Sequence, residues 1–143
     1  MYYGLTKYND VSSYGTVDNK FVLDKEDDAA AFYWRGNWRM PTDEEMTELR
    51  TECTWSWTTQ NGVNGYKVTS NKSGYTDMSI FLPAAGYRID TSLYNAGSNG
   101  RYWSSSLYTG NTFKACSVAF SAYNVVWAYD YRYEGGTVRP VCR

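Results

Sequence analysis

The sequence predicts an α+β domain in which two helices are followed by many short antiparallel strands. Two helix-start signals, each an Asp or Thr with acidic residues just after it, lie between residues 24 and 45. From residue 54 onward, short alternating runs are separated by turn-forming Gly, Asn and Pro. The 143 residues contain no internal repeat or low-complexity linker, so we expect a single domain spanning 1–143.

The first predicted elements are a strand and a helix. YYGLTKY at 2–8 alternates enough for an edge or closing strand. Asp24 is the expected N-cap of the first helix, because acidic residues crowd the turn that follows it and the helix dipole favours negative charge there. Gly36 is placed to end this helix.

The second helix carries the stronger start signal. Thr42 and Glu45 have the spacing of a capping box, and Met46 and Leu49 supply an apolar face, so we predict a helix at 43–52. The acids that follow Thr42 are explained by the helix start and need no metal.

Within WRMPT, we expect Thr42 to cap the helix and Arg39 to pair internally. The tryptophans Trp38, Trp103 and Trp127 are interpreted as core residues.

The rest of the chain reads as strands. Residues 54–60 and 66–70 alternate around NGVNG and predict a hairpin, and 78–82 is an apolar run that ends at Pro83. Residues 84–100 look like a loop. Four further short strands are predicted, at 101–106, 114–120, 124–131 and 136–142.

Composition argues against several functions. The net charge is −1 without a basic run, which is not typical of nucleic-acid binding. Histidine is absent, so the commonest acid–base group and metal ligand is missing. Cys53, Cys116 and Cys142 form no CxxC pattern, and one disulfide or three thiols remain open. No apolar run is long enough for a membrane span, and the first residues show no signal-peptide pattern.

The stretch NVVWAYDYRYEGG at 124–136 places tyrosines at 129, 131 and 133 among side chains that share no chemistry. It fits an ordinary exposed sheet face, since Tyr favours strands. It equally fits a binding surface, because Tyr offers a large, stiff and amphipathic contact area.

DDAAAFYWRGNWRMPTDEEMTELR resembles the helical entrance of the C-type-lectin-fold group that includes formylglycine-generating proteins. CTWSWTTQNGVNGYKVTS, IFLPAAGYR, GRYWSSS and VRPVC resemble bacterial and phage variable proteins diversified by retroelements, especially those of gut Bacteroidales. The matching pieces cover most of residues 24–143. This resemblance implies a C-type lectin fold with adjacent N- and C-terminal strands, and a variable ligand-binding region at about 101–143. It also implies a virion-surface or bacterial cell-surface location and a protein or glycan partner on a host or neighbouring cell.

In that family, adenines of a template are randomised, so Asn codons become codons for many residues but never stops. Lys114 and Glu134 are not reachable from such codons, whereas Trp127 and Arg132 fit a fixed framework. We expect a ligand-binding patch centred on Tyr108, Tyr123, Tyr129, Asp130 and Tyr131. The full variable face implied by the resemblance is Tyr108, Ser117, Ala119, Ser121, Tyr123, Val126, Ala128, Tyr129, Asp130, Tyr131 and Tyr133.

Two other functions remain open within the resemblance. One is a non-variable adhesin or fibre domain of the same fold. The other is an enzyme of the formylglycine-generating type, which would need Cys116 or Cys142 as a reactive thiolate; no local electropositive partner that would lower a thiol pKa is evident. The EPN, QPD and WND triplets of calcium-dependent lectins are absent, and Ala128 and Tyr129 follow Trp127 instead. We therefore expect no catalysis, no cofactor and no metal.

Overall fold

The computed structural model describes residues 4–142, and its α+β class confirms the prediction. Its two α-helices are α1 (Ala29–Trp34) and α2 (Asp43–Thr51), and a 3-10 turn at Ser12–Tyr14 precedes them. The strands are β1 (Trp38–Arg39), β2 (Cys53–Gln60), β3 (Val63–Ser70), β4 (Ser79–Pro83), β5 (Tyr87–Ile89), β6 (Ser92–Tyr94), β7 (Asn99–Leu107), β8 (Lys114–Ser121), β9 (Asn124–Tyr131) and β10 (Val141–Cys142).

Two three-stranded antiparallel sheets dominate the fold, β2–β3–β4 and β7–β8–β9. The predicted hairpin is confirmed, with Asn61 and Gly62 as its two-residue turn. Both turn residues have positive φ, 51° and 78°, as a mirror-image hairpin turn requires. β5–β6 and β1–β10 form two smaller antiparallel pairs.

The core draws side chains from α2 and from both large sheets. Met46 of α2 packs with buried residues of β3, β4, β7 and β8, and the aromatic members are Tyr66, Tyr102 and Phe120. Gly100 of β7 makes room for the Phe120 ring, since a Cβ at Gly100 would lie 2.1 Å from it. Trp127 of β9 packs against this core, as predicted.

The predicted start of α2 is confirmed, whereas the predicted cap of α1 is not. The capping box of α2 is confirmed: Thr42 Oγ1 accepts from the Glu45 amide, and Glu45 Oε2 accepts from the Thr42 amide. Arg39 pairs with Glu45 through two bonds of 2.6 and 2.7 Å, also as expected. The predicted N-cap of the first helix was wrong. Asp28, rather than Asp24, caps α1, because Asp28 is buried beside Met40 while Asp24 pairs with Lys20.

The terminal strands differ from the expectation. Part of the predicted strand at 2–8 lies outside the described residues, and within 4–8 only Leu5 makes an isolated bridge, to Gly15. Tyr8 adopts φ 59° while the Asp18 carboxylate accepts its amide, so the backbone turns instead of extending. β10 is confined to two residues after Pro140, which has no amide to donate, and it pairs with β1. The described residues therefore do not place an N-terminal strand beside the C-terminal one.

Two other expectations were wrong. Residues 84–100 contain the β5–β6 hairpin, whose three-residue strands flank Asp90 at φ 51°. These strands are too short to show a clear alternation. Trp38 is exposed rather than in the core, because β1 lies at the edge of the molecule beside α1.

Candidate functional site

A group of stacked tyrosines lies around the C-terminal end of β9. The Tyr108 and Tyr129 rings stack with centroids 4.0 Å apart and an interplanar angle of 19°. Tyr131 stacks on Tyr133 in the same way, at 5.1 Å and 14°. Tyr129 and Tyr131 are two residues apart in a regular strand and therefore share one face. We call Tyr108, Tyr129, Tyr131 and Tyr133 the tyrosine cluster.

The positively charged side chain of Lys114 lies beside the tyrosine cluster. Lys114 of β8 lies directly opposite Tyr131 of β9, and its Nζ is 4.9 Å from the centre of the Tyr131 ring. A lysine ammonium over a tyrosine face gains a cation–π attraction. The cluster thus offers aromatic faces, phenolic hydroxyl groups and one ammonium group to a ligand.

Five of the predicted site residues lie on the opposite face of β8 and β9, which we call the reverse face. Because the β8–β9 register is unbroken, every second residue points away from the tyrosine cluster. Val126 on this face is exposed, whereas Ser117 is fully buried. The reverse-face residues are Ser117, Ala119, Val126, Ala128 and Asp130.

An ion-pair network occupies part of the reverse face. Ser117 Oγ donates to Asp130 Oδ2 at 2.5 Å, and Arg101 Nε lies 3.3 Å from the same oxygen as an ion pair without hydrogen-bond geometry. Arg101 also pairs with Glu134, and its guanidinium lies 4.0 Å from the centre of the Tyr87 ring. Both Asp130 and Ser117 are thus held by internal contacts rather than presented to solvent.

The remaining two predicted residues lie at the β8–β9 turn. Tyr123 is 96% exposed at its tip, and Ser121 Oγ donates to Asn124 Oδ1 at 2.9 Å. The eight residues of β9 separate this turn from Tyr131 by roughly 25 Å at about 3.3 Å per residue. The structure therefore places the predicted residues in three locations: the tyrosine cluster, the reverse face and the turn.

The environments of Cys53 and Cys116 do not favour a thiolate. Cys116 is buried, and its Sγ donates to the Leu107 carbonyl at 3.5 Å. Burial, together with the nearby Asp43, raises the pKa of Cys116 to about 12. Burial and nearby glutamates also raise the pKa of Cys53. Among residues 4–142, no three His, Cys, Asp or Glu side chains are grouped as a metal site would require.

The sequence interpretation missed several residues around the site. Lys114 was set aside because its codon does not fit the randomisation scheme, yet it lies over Tyr131. The role of Arg101 and Glu134 depends on contacts 33 residues apart in sequence, which no local pattern indicates. Only the alternation of side chains along a strand could have indicated from the sequence that the residues of β9 divide between two faces.

Comparison with known proteins adds no family to this description. No protein-family model, curated protein or solved structure matches the chain. In the part of the chain that the structure describes, no helix has the length and apolar character needed to cross a membrane. The geometry of the surface is therefore the available indication of function.

Proposed function

We propose that the chain is a non-catalytic, hypervariable ligand-binding protein, diversified by a retroelement and built on a C-type lectin fold. The observation that carries this proposal is the tyrosine cluster, in which two stacked pairs lie side by side on one surface. Its partner is a protein or glycan on a host or neighbouring cell. The chain then acts in receptor recognition at the surface of a virion or a bacterial cell.

The stacking gives the tyrosine cluster a physical advantage in binding. Each ring is already held by its neighbour, so little side-chain freedom is lost when a ligand arrives. Tyrosine also combines an apolar ring with a hydroxyl group, which suits both protein and sugar surfaces. Lys114 adds a charge that favours electron-rich groups on the partner.

The described architecture is compatible with the proposed fold at a coarse level. Two helices precede two antiparallel sheets, and the proposed variable region at 101–143 holds most of β7 and all of β8 to β10. In this proposal the framework segments that resemble the variable proteins supply β2, β3 and β4. The tyrosine cluster and Tyr123 are the main contacts, and exposed Val126 offers a separate contact on the reverse face.

The chemistry of Cys116 supports a binding role over catalysis. A thiol with a pKa of about 12 is protonated at neutral pH and is a poor nucleophile. Its burial also keeps substrates away from the sulfur atom.

A fixed adhesin or fibre domain is the second candidate, and the reverse face favours it. Asp130 and Ser117 make a specific network with Arg101, which most replacements at either position would disrupt. Free randomisation at these two codons is hard to reconcile with that network. In a fixed adhesin, by contrast, every member of the network is retained.

Deep sequencing of the coding region in a population of the source organism or virus separates these candidates. Retroelement diversification predicts amino-acid variation concentrated at about 108–134, strongest at the tyrosine cluster and Tyr123, with VRPVC at 138–142 constant. A region that is uniform, or that varies only at silent positions, would reject the diversification and leave a fixed adhesin with one partner.

A further inference from the structure

A second aromatic surface lies on α1 and β1 and is not part of the proposed ligand site. The exposed fractions of Phe32, Tyr33 and Trp34 are 63%, 76% and 57%, and that of Trp38 is 39%. Two edge-on ring contacts join these residues in pairs, Phe32 with Tyr33 at 5.1 Å and Trp34 with Trp38 at 5.4 Å. We call these four residues the aromatic patch.

The aromatic patch is as large as the largest apolar patch of a typical monomer. An aromatic side chain covers about 150–250 Å², so the exposed parts of the four amount to roughly 400–500 Å². The largest apolar patch of a monomeric protein covers about 300–600 Å² and often has a function. Val22, which lines a cavity of about 340 Å³ together with Trp38, is also exposed and extends the apolar surface.

We propose that the aromatic patch is the contact surface between two copies of this chain. A stable interface buries about 800 Å² on each partner, so the patch alone supplies more than half of the requirement. In a twofold dimer each copy presents the same surface, and the mixed ring orientations allow edge-to-face contacts across the axis.

Charge around the patch is compatible with this self-association. Exposed Lys25 and Arg35 flank α1 together with exposed Glu26. In a twofold dimer with antiparallel α1 helices, Arg35 of one copy would lie toward Glu26 of the other. The net charge of −1 leaves little repulsion between copies.

The proposed dimer interface shares no residue with the tyrosine cluster. Within residues 4–142, the ring contacts of the aromatic patch are made among its own members and include no residue of the tyrosine cluster. The inference therefore goes beyond the proposed function and does not rest on it.

Sedimentation velocity of the chain over a range of concentrations tests the proposal, with Tyr33→Arg as the interface variant. In a twofold interface the introduced charge enters twice, so we expect the dimer dissociation constant to rise at least about tenfold. The matched control is Tyr123→Arg, which places the same charge at a fully exposed tyrosine of the β8–β9 turn. This control should dimerise like the wild type.

Two results would overturn the proposal. One is a wild-type chain that stays monomeric at high micromolar concentration. The other is a dimer that survives Tyr33→Arg, including one that is lost instead in Tyr123→Arg. Circular dichroism and the melting temperature establish that each variant is folded. If Tyr33→Arg does not fold, the milder Phe32→Gln replaces it, and a dimer that survives this variant would overturn the proposal.

Discussion

Asp28 shows how one buried carboxylate joins two segments of the chain. Its Oδ1 accepts the amides of Ala30 and Ala31 at 2.8 and 3.0 Å, and its Oδ2 accepts the amide of Met40 at 2.8 Å. The first two bonds cap α1, and the third fixes the segment that leads into α2. A carboxylate satisfied by three amides is stabilised although it is buried.

Asp28→Ala should lower the free energy of unfolding by about 3 kcal/mol, because it removes charge-assisted bonds and leaves buried amides without acceptors. Urea denaturation measures this loss. Asp24→Ala is the control at the position that sequence alone indicates. Its partner, Lys20, is at the surface, so we expect a loss below about 1 kcal/mol. Equal losses in the two variants would contradict the assignment of the cap.

Local signals predicted the elements whose geometry is set locally. The Thr42–Glu45 pair and the β2–β3 hairpin need no distant partner to form, and both were predicted, although the turn is Asn61–Gly62 rather than the whole of NGVNG at 61–65. Several acids before α1 could serve as its cap, and the choice depends on the distant amide of Met40. The shortness of β10 likewise depends on Pro140 and on pairing with β1. The cap of α1 and the length of β10 therefore depend on contacts with residues that are distant in sequence.

At the scale of a strand, β9 presents two different surfaces. Tyr129 and Tyr131 face the tyrosine cluster, while Asp130 between them enters the network with Ser117 and Arg101. The family resemblance placed all three in one ligand-binding patch. In a strand, adjacent residues are the ones that cannot share a face.

Replacements along β9 should therefore alternate in their effect on stability. Asp130→Ala removes the closer of two acceptors of buried Ser117 and one partner of Arg101, and should lower the free energy of unfolding by about 2 kcal/mol. Tyr131→Ser removes exposed ring contacts and should cost less than about 1 kcal/mol. Urea denaturation of both variants measures the difference. A larger loss for Tyr131→Ser would mean that the tyrosine cluster is part of the core.

At the scale of the whole molecule, buried thiol and phenol groups couple stability to alkaline pH. Burial raises the pKa of Cys116 from 9.0 to about 12. The pKa values of Tyr8 and Tyr102 rise from 10.0 to about 12, mainly through burial, and the Asp27 carboxylate adds to the effect on Tyr8. In the unfolded chain these groups ionise at their ordinary pKa values. Their contribution to stability is therefore complete below about pH 9 and is lost as pH rises toward 12.

The melting temperature should accordingly fall between pH 8 and pH 10.5, and Cys116→Ala should reduce that fall. At pH 10.5 the thiol accounts for up to about 2 kcal/mol of the loss, since one pKa unit corresponds to about 1.4 kcal/mol. Differential scanning calorimetry at the two pH values measures the effect. An unchanged fall in Cys116→Ala would show that the thiol does not contribute.

The alternation of β9 also limits how many sequences the fold can carry. At the C-terminal end of β9, a process that mutates consecutive codons encounters a stability filter at Asp130 and a weaker one at Tyr129 and Tyr131. Replacements of Asp130 lose the contacts with Ser117 and Arg101, whereas the neighbouring tyrosine positions accept many residues. The usable repertoire is therefore set by the exposed positions of the strand, and each interior position that is mutated together with them removes a share of the variants before any ligand is met.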